Sequence, residues 1–226
     1  MSSVKITKEI FDYLRALEQN NNREWFNENK KQFTALNEQA KEVFKAVSEL
    51  MKQHDEIEKL KFFRIYRDVR FSKNKTPYKT NLSASMSRAG ARSRGGYYMH
   101  IQPNNSFIAA GFWAPEKKDL LRIRKEWELD ASELREIINK KKFKDTWGEI
   151  VGEELKTAPK GFDKEHPNID LIRRKQFIFT KKFTDKEVMA SDFVATLNEA
   201  FKTIRPYFDL MSTILTTDLN GESLID

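Results

Sequence analysis

Apolar residues recur at helical spacing near both ends of the chain and at strand spacing in its middle. Ile10, Phe11, Leu14 and Leu17 fall on one face of a helix that Thr7 is placed to cap, and Asn20-Asn21-Asn22 ends it. From Glu24 to His54, Phe26, Phe33, Ala40 and Val47 recur every seven residues, and Leu36, Val43 and Leu50 sit three residues after the last three. Two such stripes predict one long helix packed along its length. Towards the C-terminus Phe193, Leu197, Ala200, Phe201, Ile204, Phe208, Met211 and Leu215 keep the helical period. Pro206 interrupts that run, and a kink or split is expected there because proline lacks a donor and its ring clashes with the preceding turn.

The middle reads differently. Leu60–Phe71 alternates imperfectly, and Asn81–Met86 reads as a strand. Tyr97–Gln102 and Ser106–Trp113 are strand-like segments joined by Pro103-Asn104-Asn105, which predicts an antiparallel hairpin. Ser87–Gly96 has no apolar pattern and is expected to be a mobile loop. Helices follow at about 117–127 and 130–140, and Phe177–Thr180 returns to strand character. The predicted class is α+β, a central, mainly antiparallel sheet packed by helices from both chain ends. With no repeat and no linker, residues 1–226 read as a single α+β domain.

Composition narrows the chemistry. The chain has no cysteine, which excludes disulfides, thiolate nucleophiles and Cys-ligated zinc. The first residues have no apolar core or small-residue cleavage site, and the longest apolar stretch, Phe107–Ala114, is far short of a bilayer span. A cytoplasmic protein with no membrane partner is the expectation. The net charge of +7 is concentrated: Lys59–Arg94 carries eleven Lys and Arg against one acid, Asp68, leaving 30 bases and 33 acids elsewhere. A localised excess of this kind attracts anions, as a dispersed one does not.

Within that segment runs Arg64-Ile-Tyr-Arg67-Asp68-Val-Arg70-Phe71, followed by Lys73, Lys75, Pro77, Tyr78 and Lys79. Guanidinium groups grip phosphate or carboxylate bidentately. On a strand Arg64 and Arg70 would share a face and Arg67 take the other; on a helical turn all three would share one side. Asp68 is placed to lock one guanidinium or to act as a base. Tyr78 is a candidate hydrogen-bond donor, and His100 a candidate proton shuttle because imidazole titrates near neutrality. The candidate ligand-binding set is Arg64, Arg67, Arg70, Lys75, Tyr78 and Lys79, and the candidate catalytic pair is Asp68 and His100. His166, with Asp163, Glu165 and Asp170 nearby, matches no metal signature and reads as a loop constraint before Pro167. No metal site is assigned.

The pattern Arg64-x-x-Arg67-Asp68-x-Arg70-Phe71, then Lys75-x-x-Tyr78, resembles the signature of the domain of unknown function 2461 family. Asn21-Asn22-x-x-Trp25-Phe26, Gly96-Tyr97-Tyr98, Pro159-Lys160-Gly161-Phe162, His166-Pro167 and Asp170–Lys175 look similar as well. The resemblance implies no activity.

Other chemistry is disfavoured by motif. There is no P-loop and no dinucleotide-binding glycine pattern, so no cofactor is assigned, and Ser83, Ser85 and Ser87 lack a nucleophile elbow. The favoured expectation is an anionic small molecule, phosphorylated or carboxylated, held by the arginine-rich signature, with enzymatic turnover open. The alternative is a nucleic-acid-binding module: residues 59–94 would line a groove, and Tyr97, Tyr98, Phe107, Phe112 and Trp113 would supply stacking surfaces. A third reading makes the motif a salt-bridge network that only holds the fold. Oligomeric state is not readable.

Overall fold

A computed structural model describes residues 4–225. In chain order its elements are α1 (Lys8–Gln19), α2 (Arg23–Glu28), α3 (Lys30–Met51), β1 (Ile57–Phe62), β2 (Leu82–Arg88), β3 (Gly96–Ile101), β4 (Ser106–Phe112), α4 (Lys117–Leu129), α5 (Ser132–Asn139), α6 (Lys141–Trp147), α7 (Ile169–Ile172), β5 (Phe177–Phe183), α8 (Asp185–Val188), α9 (Phe193–Thr203) and α10 (Arg205–Thr216). The strands form one antiparallel sheet in the order β1-β2-β3-β4-β5, and the class is α+β as expected. The predicted hairpin is β3–β4, where tight turn chemistry joins neighbouring strands.

The chain gathers into two compact units, each interleaved along the sequence. The first holds residues up to Met86, Tyr98–Ile108 and Lys182–Glu199. Here α1 buries Ile10, Phe11, Tyr13, Leu14 and Leu17 and packs on α3, which also packs on β1. Thr7 occupies the N-cap position with extended backbone, but its hydroxyl makes no capping bond. The long helix expected from residue 24 to 54 is broken at Asn29. Asn29 sends both its backbone N–H and its side-chain amide to the carbonyl of Trp25, at 3.0 and 2.8 Å. A side chain that competes for a helical carbonyl ends the helix there. Asn22 caps the preceding short helix α2 by accepting the N–H of Trp25 at 2.9 Å.

The second unit holds Ser87–Tyr97, Ala109–Lys181 and residues from Ala200 onward. Its core is aromatic: Tyr97, Trp127, Phe177, Phe179, Phe201, Tyr207 and Phe208 are all essentially buried. Tyr207 satisfies its buried hydroxyl on the carbonyl of Phe177 at 3.0 Å. Gly111 makes close packing feasible, because at its φ of 139° a Cβ would stand 2.2 Å from that carbonyl oxygen. Pro206 splits the C-terminal helix as expected, and lies in the first turn of α10, where its missing N–H costs nothing.

The segment expected to be an unpatterned loop is partly ordered by its arginines. β2 runs on to Arg88, whose side chain is 3% exposed. Arg88 donates to the Arg94 carbonyl at 2.9 Å and to Ser212 Oγ at 3.3 Å, and its guanidinium lies 5.0 Å from the Phe208 ring. Arg94 pairs with Asp119. Two of the three arginines in the segment expected to be a mobile loop are therefore committed within this unit.

Candidate functional site

The arginine-rich signature lies wholly in the first unit and is neither strand nor helix. After β1, Phe63 donates its N–H to the Ser83 carbonyl at 3.0 Å, and the chain then leaves the sheet. It returns through a lone antiparallel bridge, Tyr66 to Tyr78. Arg67 N–H donates to the Pro77 carbonyl at 2.9 Å, and Lys79 N–H to the Ile65 carbonyl at 2.7 Å. The bridge thus fixes Arg67 and Lys79 at the foot of the intervening loop. Asn21 clamps the returning strand, accepting Tyr78 N–H and donating to the Tyr78 carbonyl, both at 3.0 Å. The Tyr78 ring is 4% exposed and stacks on Phe26 with centroids 4.0 Å apart, and burial pushes its hydroxyl pKa up. This tyrosine, a candidate ligand donor, has its ring in the core, although it also borders a cleft.

The cations of the signature divide by partner. Asp68 holds Arg70 through Nη2 at 2.7 Å and Nε at 3.0 Å. Lys75 donates to the Val69 carbonyl at 3.0 Å, tying the loop to itself. Among the described residues Arg67 reaches only hydroxyls, those of Thr76 and, at 3.4 Å, Ser72. Two of its five N–H donors are spent. Arg64 is exposed and makes no hydrogen bond or ion pair among the described residues, yet its charge helps to lower the pKa of both Asp68 and Lys79. The Lys79 ammonium is held below its usual range chiefly by burial, and it sits 5.5 Å from the Phe63 ring.

Two clefts meet at these residues. The first, of 460 Å³, is lined by Phe63, Arg67, Asp68, Lys79, Asn81, Ser83 and Tyr98. The second, of 330 Å³, is lined by Glu18, Asn21, Arg67, Asn74, Thr76, Tyr78, Lys79, Thr80 and Asn81. Arg67, Lys79 and Asn81 belong to both. Lys79, Asn81 and Ser83 follow one another at two-residue spacing into β2, a period-two signal visible in the sequence that composition alone conceals.

His100 lies behind the first cleft. Its Nε2 meets Gln102 Oε1 at 2.8 Å and its Nδ1 meets the Tyr98 hydroxyl at 3.1 Å. Gln102 Oε1 also accepts from Asn105, and the Gln102 amide nitrogen donates to Thr80 Oγ at 3.2 Å. That pattern puts the imidazole proton on Nε2 and leaves Nδ1 to accept from Tyr98. Ser83 lines the same cleft beside Tyr98. Burial, with the Lys79 charge adding to it, lowers the His100 pKa, and burial raises that of Tyr98. The result is a hydrogen-bonded chain from Tyr98 in the first cleft to Thr80 in the second.

His166 accepts the N–H of Asn168 on Nδ1 at 3.1 Å. Among the described residues no group of three or more His, Asp or Glu is placed to hold a metal ion, and no helix is long and apolar enough to cross a membrane.

These features define an α+β protein with a partly unneutralised basic cleft at the edge of its sheet. The chain belongs to the family described as Conserved hypothetical protein (DUF2461), whose model matches residues 9–210. No curated protein and no solved structure matches it.

Proposed function

We propose that the first cleft binds a small phosphorylated or carboxylated compound, with Arg64, Arg67 and Lys79 as the cationic anchors. The observation that carries this reading is that Arg67 and Lys79, fixed on either side of the Tyr66–Tyr78 bridge, have no carboxylate partner among the described residues. Asp68 lies in the same cleft but is occupied by Arg70, so it does not cancel them. Asn81, Ser83 and Tyr98 add neutral donors beside the cations. Arg70 and Lys75 then act on the loop rather than on the ligand. Neutral His100, hydrogen-bonded to Tyr98 through Nδ1 and to Gln102 through Nε2, holds the Tyr98 hydroxyl in place at the cleft wall.

A second reading has one observation in its favour. Phe71 is 96% exposed and lies 5.9 Å from the Arg70 guanidinium, an arrangement suited to stacking on a nucleobase beside a phosphate. Titration calorimetry with inorganic phosphate, citrate and a single-stranded oligonucleotide at two salt concentrations separates the two. Small-anion binding that Arg67→Ala abolishes supports the first. Oligonucleotide binding alone, falling steeply with salt and lost in Phe71→Ala, overturns it in favour of the second.

A further inference from the structure

We propose that the second cleft receives the neutral, hydroxyl-bearing part of a phosphorylated polyhydroxy compound, a sugar phosphate in the broad sense, whose phosphate rests on Arg67 and Lys79. This rests on the anion-binding reading of the shared wall and assigns the rest of the ligand.

The argument is an inventory of unspent polar groups. Asn81 borders both clefts, is half-buried, and makes no side-chain hydrogen bond among the described residues. Its amide offers two donors and an acceptor beside the cations. Thr80 Oγ accepts from Gln102 and keeps its own proton to donate. Asn74 spends its Oδ1 on the Thr76 N–H and hydroxyl, at 2.9 and 2.8 Å, which leaves its amide nitrogen. Glu18 is exposed at the rim, with no ion pair among the described residues.

Groups that both donate and accept match this set best, and hydroxyls are the groups that do so. A second anion is disfavoured because Glu18 would repel it. A nucleobase is disfavoured because the one ring lining the cleft among the described residues, Tyr78, is already stacked on Phe26. The volume of 330 Å³ lies at the small end of ligand sites and suits a monosaccharide. A carboxylate such as Glu18 bridging vicinal hydroxyls, with an amide opposite, would fix orientation as well as affinity.

The test is calorimetric titration of the full chain with inorganic phosphate, with glucose 6-phosphate, fructose 6-phosphate and ribose 5-phosphate, and with free glucose. At least one sugar phosphate is expected to bind ten times or more tighter than inorganic phosphate, and free glucose not to bind. Asn81→Ala and Glu18→Gln, checked for native melting, are expected to remove that gain, read in each variant as the ratio of sugar-phosphate to inorganic-phosphate affinity. Sugar phosphates no tighter than phosphate, or a gain that survives both substitutions, would overturn the inference and leave the anion site standing. Tighter binding of adenosine monophosphate or phosphoethanolamine than of any sugar phosphate would overturn it too. If no phosphate compound binds at all, the anion site itself fails.

Discussion

Asp68 accepts two hydrogen bonds from the Arg70 guanidinium and a third, at 3.2 Å, from the Arg70 backbone N–H. The side-chain bond is the main cause that holds its carboxyl below the usual range, with the backbone bond next. A carboxylate with a depressed folded-state pKa keeps its partner above the ordinary value of 3.8 and releases it only as pH falls through the lower one. At neutral pH, then, the one acid of the basic segment is fully engaged by the arginine farthest out on the loop.

Replacing Asp68 with Asn should free that arginine and add one positive charge to the first cleft. Phosphate affinity is expected to rise by about two- to fivefold at low salt, the scale of one unit charge across a solvated gap. In 0.5 M salt the gain should vanish, because screening there acts within a few ångströms. The measurement is titration of the variant and the parent at both salts, with the melting midpoint expected to be unchanged.

Arg67→Ala and Arg70→Ala should part company. Arg67 lies at the wall shared by both clefts, so its loss is expected to weaken anion binding by about ten- to a hundredfold, the scale of a charge-assisted hydrogen bond. Arg70, already held by Asp68, should cost less than about threefold. Equal losses in the two variants would mean that the anion does not sit at the bridge.

His100 gives a pH signature. Its folded-state pKa lies below the ordinary 6.5, mainly through burial, so the unfolded chain takes up a proton that the folded chain refuses. Stability should therefore fall as pH drops through 6.5 towards the lowered folded-state value, and the slope should lessen in His100→Gln. Urea midpoints across that range for both proteins check it, and an unchanged slope would show that the imidazole is not held neutral.

Arg88→Ala should destabilise the fold by about 2–4 kcal/mol, since it strips a buried guanidinium from a carbonyl, a hydroxyl and an aromatic face together. Arg88→Met, which keeps the stem against Phe208, should lose less. Urea denaturation measures both.

The helices were legible wherever burial falls on one face, as along α1 and through the split C-terminal run, where Pro206 announces its own break. The break at Asn29 was not, because it depends on an amide outbidding its own backbone for one carbonyl. The loop arginines misled for a related reason. Arg88 sits among Ser, Ala and Gly in sequence, while Ser212 and Phe208, which accommodate it, come from α10 more than a hundred residues later. At the site, Asp68 locking one arginine was readable, but which one was not, since the chain takes up neither of the regular geometries considered. Tyr78 likewise depends on Phe26, far away in sequence, for its place in the core. Asn81, Ser83 and Tyr98 were within reach had alternation been followed from Lys79 and back from His100.

The Tyr66–Tyr78 bridge works as a hinge pin, with Arg67 and Lys79 on its two knuckles and Ser72, Lys73 and Asn74 at the far tip of what it closes. Spacing between the two inner cations is set by the pin and not by the length of chain beyond it. A few residues spliced in after Lys73 should therefore enlarge the tip while the backbone at its base keeps the span between the two inner cations.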